Sequence, residues 1–156
     1  MSLLRKSSRF LDFSSLPPSV QLWYAPVINV TGGDFVRKIL LATTDEATST
    51  DLSNALFQYE VHICHTGTDA LKLLETLRPD ILILDLMLPA MDGLAVLRLS
   101  TFKPPTILAR TNLITPTVVH SAAKAGVQAL LLIPCTTRYI VERLNALTEK
   151  NPSPEM

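Results

Sequence analysis

Short apolar runs alternate with segments of helical period along most of this chain. The runs cover residues 38–43, 60–64, 81–84, 106–110 and 129–133, and each is followed by a segment whose apolar residues lie three or four positions apart. Runs of this length suit strands and the longer segments suit helices, so the pattern predicts five stacked βα units around a parallel sheet. With 156 residues, 47% of them hydrophobic, the chain is long enough to bury one core.

The third and fifth runs predict central strands. ILIL at residues 81–84 and ALLLI at residues 129–133 contain no polar residue, as expected of parallel strands that helices cover on both faces. The second run, EVHIC at residues 60–64, alternates and suits an edge of the sheet. Right-handed crossovers then give a doubly wound α/β sheet, which binds ligands at the carboxyl ends of its strands. Asp85 stands at one such end.

The chain divides into three parts. Residues 1–36 are Ser-rich and interrupted by Pro17, Pro18 and Pro26, and they include VQLWYAPVINV at residues 20–30. This stretch is either a short strand or an arm laid on a neighbour, with Trp23 as an apolar anchor. Residues 37–150 form the βα domain, and residues 151–156, NPSPEM, are a frayed tail or the start of a linker.

Composition excludes several classes of protein. Fourteen basic and 14 acidic residues give no net charge, so this segment carries no electrostatic footprint for nucleic acid or an anionic membrane. No apolar stretch has the length of a membrane span or a signal peptide, which favours a cytoplasmic protein. Cys64 and Cys135 lack zinc spacing and are expected to be small buried residues without a disulfide. The sequence contains no P-loop and no GxSxG elbow, so neither motif indicates an enzyme.

The loop after Asp85 is the most informative motif. In LMLPAMDGL, Pro89 and Gly93 follow the aspartate by four and eight residues. Proline stiffens this turn, and glycine permits a close backbone approach where the next helix begins. A carboxylate held there can act as a nucleophile toward phosphorus and form an aspartyl-phosphate. The simpler interpretation is a carboxylate that caps the following turn.

Two stretches resemble the receiver domain of two-component response regulators. They are YEVHICHTGTDALKLLETLRPDILILDLMLPAMDG at residues 59–93 and AAKAGVQALLLIP at residues 122–134. The resemblance implies a flavodoxin-like fold, with five parallel strands in the order 2-1-3-4-5 and helices on both faces. It also implies that Asp85 is the phosphoacceptor, that the Met87 carbonyl contacts a magnesium ion, and that the Thr111 hydroxyl contacts the phosphoryl group.

The sequence departs from this family at the charged positions. Thr43 and Thr44 stand where the family carries two acidic magnesium ligands, although a shift of one residue lets Asp45 take the second position. Neutral hydroxyls are poor magnesium ligands. We therefore expect a weak or absent magnesium site on Asp45, Asp85 and Met87, and no other cofactor.

The lysine and the aromatic residue of the family's fifth strand are also missing, replaced by Ile133 and Leu130. Because Arg110 precedes Thr111 on one strand, its side chain should point to the opposite face. We therefore do not expect it to replace the lost cation. His62 and His65 are expected to lie away from the mouth of the sheet.

These departures leave two functions open. The first is an atypical receiver, or pseudo-receiver, which signals by protein contacts with conventional phosphorylation of Asp85 impaired or absent. The second is an ordinary receiver that a histidine kinase phosphorylates on Asp85. Partners implied by the resemblance are a histidine kinase, an output domain, or a second copy bound through the face of the fourth helix, fifth strand and fifth helix. The alternative for that face is an ordinary solvated surface.

Overall fold

A computed structural model describes residues 36–150, along which five strands and five helices alternate. Their bounds in chain order are β1 Lys38–Ala42, α1 Glu46–Ala55, β2 Glu60–Cys64, α2 Gly67–Leu77, β3 Ile81–Asp85, α3 Gly93–Leu99, β4 Thr106–Thr111, α4 Pro116–Lys124, β5 Ala129–Leu132 and α5 Thr137–Lys150. The predictions for residues 1–35, including the strand or arm around Trp23, and for residues 151–156 lie outside the described residues.

All five strands are parallel and lie in the order β2-β1-β3-β4-β5. This confirms the doubly wound α/β sheet and the strand order that the resemblance implied. β2 is at an edge, as its alternating sequence predicted. The prediction of a central position for the fifth strand is wrong, because β5 pairs with β4 alone within residues 36–150. Its apolar run serves an edge strand whose Leu132 is exposed.

Side chains alternate between the two faces of the sheet, and each face has its own core. Ile39, Leu41, Ile83 and Leu108 belong to a core that includes residues of α1 and α5, and we call this side the α1/α5 face. The opposite core joins the alternate strand residues to α2, α3 and α4. All five residues of β3 are buried. The central strand therefore carries Asp85 into the interior at its carboxyl end.

Side-chain caps fix where four of the helices begin. Asp45, Thr66, Asp92 and Thr115 each accept hydrogen bonds from backbone N–H groups of the first turn, which satisfies donors that the helix leaves unpaired. Each cap follows a strand by a few residues. The caps therefore hold the loops at the carboxyl end of the sheet.

The two cysteines differ in environment. Cys64 is buried and Cys135 is partly exposed, and both thiols are free. Burial, with a smaller effect of the Asp69 charge, raises the pKa of Cys64 to about 11. Cys64 thus packs as a small apolar residue, as predicted, whereas the prediction that Cys135 is buried is wrong. Within residues 36–150, no helix has the length and apolar character needed to cross a membrane.

Gly67 brings the start of α2 against the loop that follows β3. The Gly67 N–H donates to the Pro89 carbonyl at 3.1 Å. A Cβ placed on Gly67 would lie 1.8 Å from the carbonyl oxygen of Met91, far inside van der Waals contact. Only glycine permits this approach, so Gly67 anchors the loop that carries Met87, Pro89 and Met91.

We predict that Gly67→Ala lowers the free energy of unfolding by about 1–3 kcal/mol, the usual cost of forcing atoms into a packed region. Urea unfolding followed by circular dichroism measures this change. Lys72→Ala, an exposed substitution on the same helix, should stay within about 0.5 kcal/mol of the parent. Equal stability of the Gly67→Ala variant and the parent would contradict the close approach.

Candidate functional site

Three polar side chains meet at the carboxyl end of the sheet, on the α1/α5 face. Asp85 ends β3, and its Cα is paired in register with that of Arg110 on β4. Thr43 directly follows β1, the other neighbour of β3. Residues paired across parallel strands point to one face, so all three side chains converge. All three residues are buried.

Asp85 and Arg110 form a bidentate ion pair. The Arg110 Nε donates to Asp85 Oδ1 at 2.6 Å, and Nη2 donates to Oδ2 at 2.9 Å. The side chains are only 2% and 8% exposed for Arg110 and Asp85. Such fork-shaped pairs combine charge with two aligned hydrogen bonds. Both carboxylate oxygens of Asp85 are therefore engaged by one guanidinium.

The Thr43 hydroxyl completes the cluster. It donates to Asp85 Oδ2 at 2.6 Å and accepts from Arg110 Nη2 at 3.2 Å and from the Asp45 N–H at 3.1 Å. A hydroxyl has one donor and two acceptor positions, and all are used here. Thr43 thus bridges both members of the ion pair, a task that a carboxylate could not perform because it has no hydrogen to donate.

The expectation that Arg110 does not replace the lost cation is wrong. Its side chain does lie opposite to that of Thr111, but the register with β3 places Arg110, not Thr111, on the face of Asp85. The cation that Ile133, just after β5, cannot supply therefore comes from β4. A sequence signal was present: the one charged residue of a buried strand needs a buried partner, and Asp85 ends a neighbouring run.

Arg110 keeps its charge in this site. Burial alone lowers its pKa, but the hydrogen bond and the charge of Asp85 outweigh burial, with further help from nearby Cys135, so the pKa of Arg110 lies above its ordinary value. The site therefore holds one fixed positive charge against one carboxylate.

Thr111, expected to contact the phosphoryl group, ends β4 beside Arg110. By strand alternation its side chain lies on the face opposite to Asp85. Its hydroxyl donates to the Leu113 carbonyl and accepts from the Leu113 N–H, each at 3.2 Å. In this arrangement Thr111 closes the turn that leads to α4.

The two carboxylates expected in a magnesium site are engaged in other contacts, Asp85 with Arg110 and Asp45 at the start of α1. Asp45 caps α1, accepting from the Ala47 and Thr48 N–H groups and from the Thr48 hydroxyl. Those hydrogen bonds from Thr48 lower the pKa of Asp45. Thr44 and Met87 are exposed. Among residues 36–150, no three His, Cys, Asp or Glu side chains form a group that could hold a metal. These donors do not fit the oxygen-rich shell that magnesium requires.

The remaining predicted residues shape the rim. A Cβ on Gly93 would lie 2.8 Å from the Asp85 carbonyl oxygen, and the Gly93 N–H donates to the Leu86 carbonyl at 2.9 Å. Pro89 accepts from Gly67, as described above. Leu130 packs against the core of the other face, and the Ile133 N–H donates to the Thr111 carbonyl at 2.8 Å.

His62 and His65 lie in different surroundings. His62 pairs with Glu60 on β2, with His62 Nε2 2.6 Å from Glu60 Oε2, away from Asp85 as expected. His65 lies nearer the site than expected, since its Nδ1 is 2.8 Å from the Thr43 carbonyl oxygen. The β2–α2 loop thereby touches the residue that bridges the ion pair.

A five-stranded parallel sheet in this order, with an aspartate ending its central strand, has the architecture of a receiver domain. Residues 39–145 match the family described as the response regulator receiver domain. The chain belongs to this family and is the receiver domain of a two-component response regulator.

Several regulatory proteins are similar to this chain. The transcriptional regulatory protein TrcR of Mycobacterium tuberculosis is 28% identical over 145 residues, covering 88% of this chain and 55% of TrcR. The response regulator MprA of Mycobacterium ulcerans is 32% identical over 117 residues, covering 72% and 50%. The BeF3-activated receiver domain of DrrB shares the fold, with a TM-score of 0.63, 23% identity, and coverage of 74% and 99%. The chain spans about half the length of the curated relatives.

The buried pair predicts strong energetic coupling. We expect Arg110→Leu to lower the free energy of unfolding by about 3–5 kcal/mol, because it leaves the Asp85 carboxylate buried without its cation. The double variant Asp85→Leu/Arg110→Leu should lose far less than the sum of the two single changes. Urea unfolding of all four proteins measures the coupling.

The exposed pair of Arg138 and Glu142 is the matched control. Their side chains are 88% and 59% exposed, with a separation of 3.1 Å. Arg138→Ala should therefore cost less than about 1 kcal/mol. If the effects of Asp85→Leu and Arg110→Leu add within about 0.5 kcal/mol, the two residues are not energetically paired.

Proposed function

We propose that this chain is a pseudo-receiver of a bacterial two-component system, which acts in the cytoplasm through protein contacts and not through phosphorylation of Asp85. The observation that carries the proposal is the bidentate hydrogen bonding of Asp85 by Arg110. The partners that we propose are an output domain or a histidine kinase. With no net charge, the domain itself is not expected to bind nucleic acid.

The hydrogen bonds from Arg110 and Thr43 to Asp85 oppose the phosphorylation that an ordinary receiver undergoes. A carboxylate attacks phosphorus through an oxygen lone pair, in line with the leaving group. Asp85 Oδ1 accepts a single hydrogen bond and keeps a free lone pair, but attack through either oxygen removes the carboxylate charge with which the buried Arg110 guanidinium pairs. Breaking a buried pair in this way costs several kcal/mol. Phosphorylation therefore has an added barrier.

The charge balance points the same way. Magnesium normally neutralises charge that develops on the transferred phosphoryl group. Here Thr43 and Thr44 offer hydroxyls, and Asp45 caps α1. The guanidinium already neutralises Asp85, which leaves Asp45 as the one uncompensated carboxylate among the expected ligands. We expect magnesium to bind weakly or not at all.

The second candidate is an ordinary receiver phosphorylated on Asp85 by a histidine kinase. Membership of the receiver family and the presence of the aspartate at the end of β3 favour it. It requires the ion pair between Arg110 and Asp85 to break when the phosphodonor arrives. The two candidates thus differ in whether the ion pair opens under phosphorylating conditions.

Treatment with acetyl phosphate and magnesium, followed by intact-protein mass spectrometry, distinguishes them. We predict no stable phosphoryl adduct on the parent chain and no binding of beryllofluoride, because either would disrupt the buried ion pair of Asp85 with Arg110. A variant combining Arg110→Thr with Thr43→Asp, Thr44→Asp and Ile133→Lys should bind magnesium more tightly and accept the phosphoryl group.

Two controls complete this test. Arg110→Thr alone separates the effect of removing the guanidinium from that of adding ligands. Asp85→Asn in the fourfold variant should remove the adduct. A stoichiometric adduct on Asp85 of the parent chain would favour the ordinary receiver over the pseudo-receiver.

The protein contacts are proposed to use the α4–β5–α5 side of the domain. Five of the nine large apolar residues that are exposed within residues 36–150 lie on it or on the loop before α4: Leu113, Ile114, Val119, Leu132 and Tyr139. β5 is an edge strand with an apolar sequence, and such edges tend to pair or to be covered. A second copy of this chain is the partner that we propose for this side.

We predict that the chain forms dimers that Leu132→Asp weakens by about 10-fold or more, since a buried leucine contributes about 1.5–3 kcal/mol and 1.4 kcal/mol corresponds to tenfold. Sedimentation at several concentrations measures the effect. Leu99→Asp is the control, because Leu99 on α3 is similarly exposed, 59% against 52%. A parent chain that stays monomeric would contradict the dimer.

A further inference from the structure

The outer edge of β2 is open in the part of the chain that the structure describes, where β2 pairs with β1 alone. The Glu60 N–H donates to the Arg37 carbonyl, and the Cys64 carbonyl accepts from the Thr43 N–H, at 2.9 and 3.1 Å. The even-numbered residues of β2 therefore direct their backbone groups toward β1. By alternation, the N–H and C=O groups of Val61 and Ile63 point outward.

Apolar side chains accompany this open edge. Tyr59 and Val61 pack partly against the α1/α5 core, whereas Ile63, next on the same face, is 40% exposed. Phe57, in the turn that leads to β2, is also exposed. Unpaired backbone groups beside exposed apolar side chains form a template for another segment, and native proteins commonly cover such edges.

The chain enters the sheet next to this edge. The hydrogen bond between Glu60 and Arg37 places the residue before β1 at the base of β2. From residue 30 to residue 37 an extended chain spans up to about 23 Å. The outer edge of β2 lies about 10 Å from β1, which is two strand spacings. The residues just before position 31 can therefore reach it.

The segment within reach has the matching chemistry. Residues 20–30, VQLWYAPVINV, contain eight apolar residues and no charge. We propose that residues 20–30 pack against the outer edge of β2, over Ile63, and cover the apolar side chains there. The occupant of this edge is thus the chain's own N-terminal segment, independently of how the Asp85 site functions.

Trp23 reports directly on this proposal, because it is the only tryptophan in the chain. We expect its emission in the full 156-residue chain to be blue-shifted from that of the urea-unfolded chain and to be independent of protein concentration. Ile63→Asp should shift the emission to the red and lower the ratio of docked to undocked segment about tenfold, which corresponds to about 1.4 kcal/mol. Leu99→Asp should leave the emission unchanged.

Phe57→Ser provides a second variant on the same edge, and circular dichroism confirms that each variant is folded. Emission of the parent chain like that of the unfolded chain would overturn the proposal. So would a blue-shifted emission that neither edge variant changes. A shift that appears only as protein concentration rises would overturn it in favour of a second copy as the occupant.

Discussion

A single buried ion pair sets the terms for the rest of this site. Taking Asp85 into the interior at the end of β3 is costly unless a cation and hydrogen-bond donors accompany it. Arg110 supplies the cation from the adjacent strand, and Thr43 joins the two. A threonine at position 43, where the resemblance leads one to expect an acid, is then physically consistent with the arginine. A second carboxylate there would leave the cluster with an unmatched negative charge.

Two polar residues near this cluster, Asp45 and Thr111, make their hydrogen bonds elsewhere. Asp45 caps α1, and the Thr111 hydroxyl donates to the Leu113 carbonyl. Both side chains form local hydrogen bonds that do not involve Asp85. The loops on either side of the ion pair are therefore held by their own contacts.

The sequence predicted all five strands to within one residue, because short apolar runs between capped helices have few alternatives. It failed where a property depends on pairing between strands. The orientation of Arg110 was judged against Thr111, its neighbour in sequence, whereas its partner is fixed by the register of β4 on β3. The fifth strand was misjudged for a related reason. An apolar run indicates a strand but not its position in the sheet, because an edge strand can also carry apolar side chains. β5 does so, with Leu132 exposed at the edge.

Within residues 36–150, both edges of the sheet combine open backbone with apolar side chains, on β2 around Ile63 and on β5 around Leu132. Polar or charged residues at strand edges would discourage association, and these two positions lack them. The two edges face opposite directions across the sheet, so one can be covered without obstructing the other. A single domain can in this way hold an intramolecular contact and an intermolecular one together.

The positive charge beside Asp85 belongs to a side chain of the protein and not to a dissolved ion. A guanidinium retains its proton at any physiological pH, and as part of the polypeptide it cannot be chelated, diluted or competed away as a dissolved ion can. With its central charge supplied in this manner, the site holds its cation once the domain has folded. Under the proposed function, what is left open to regulation is how many copies are made and how long they last.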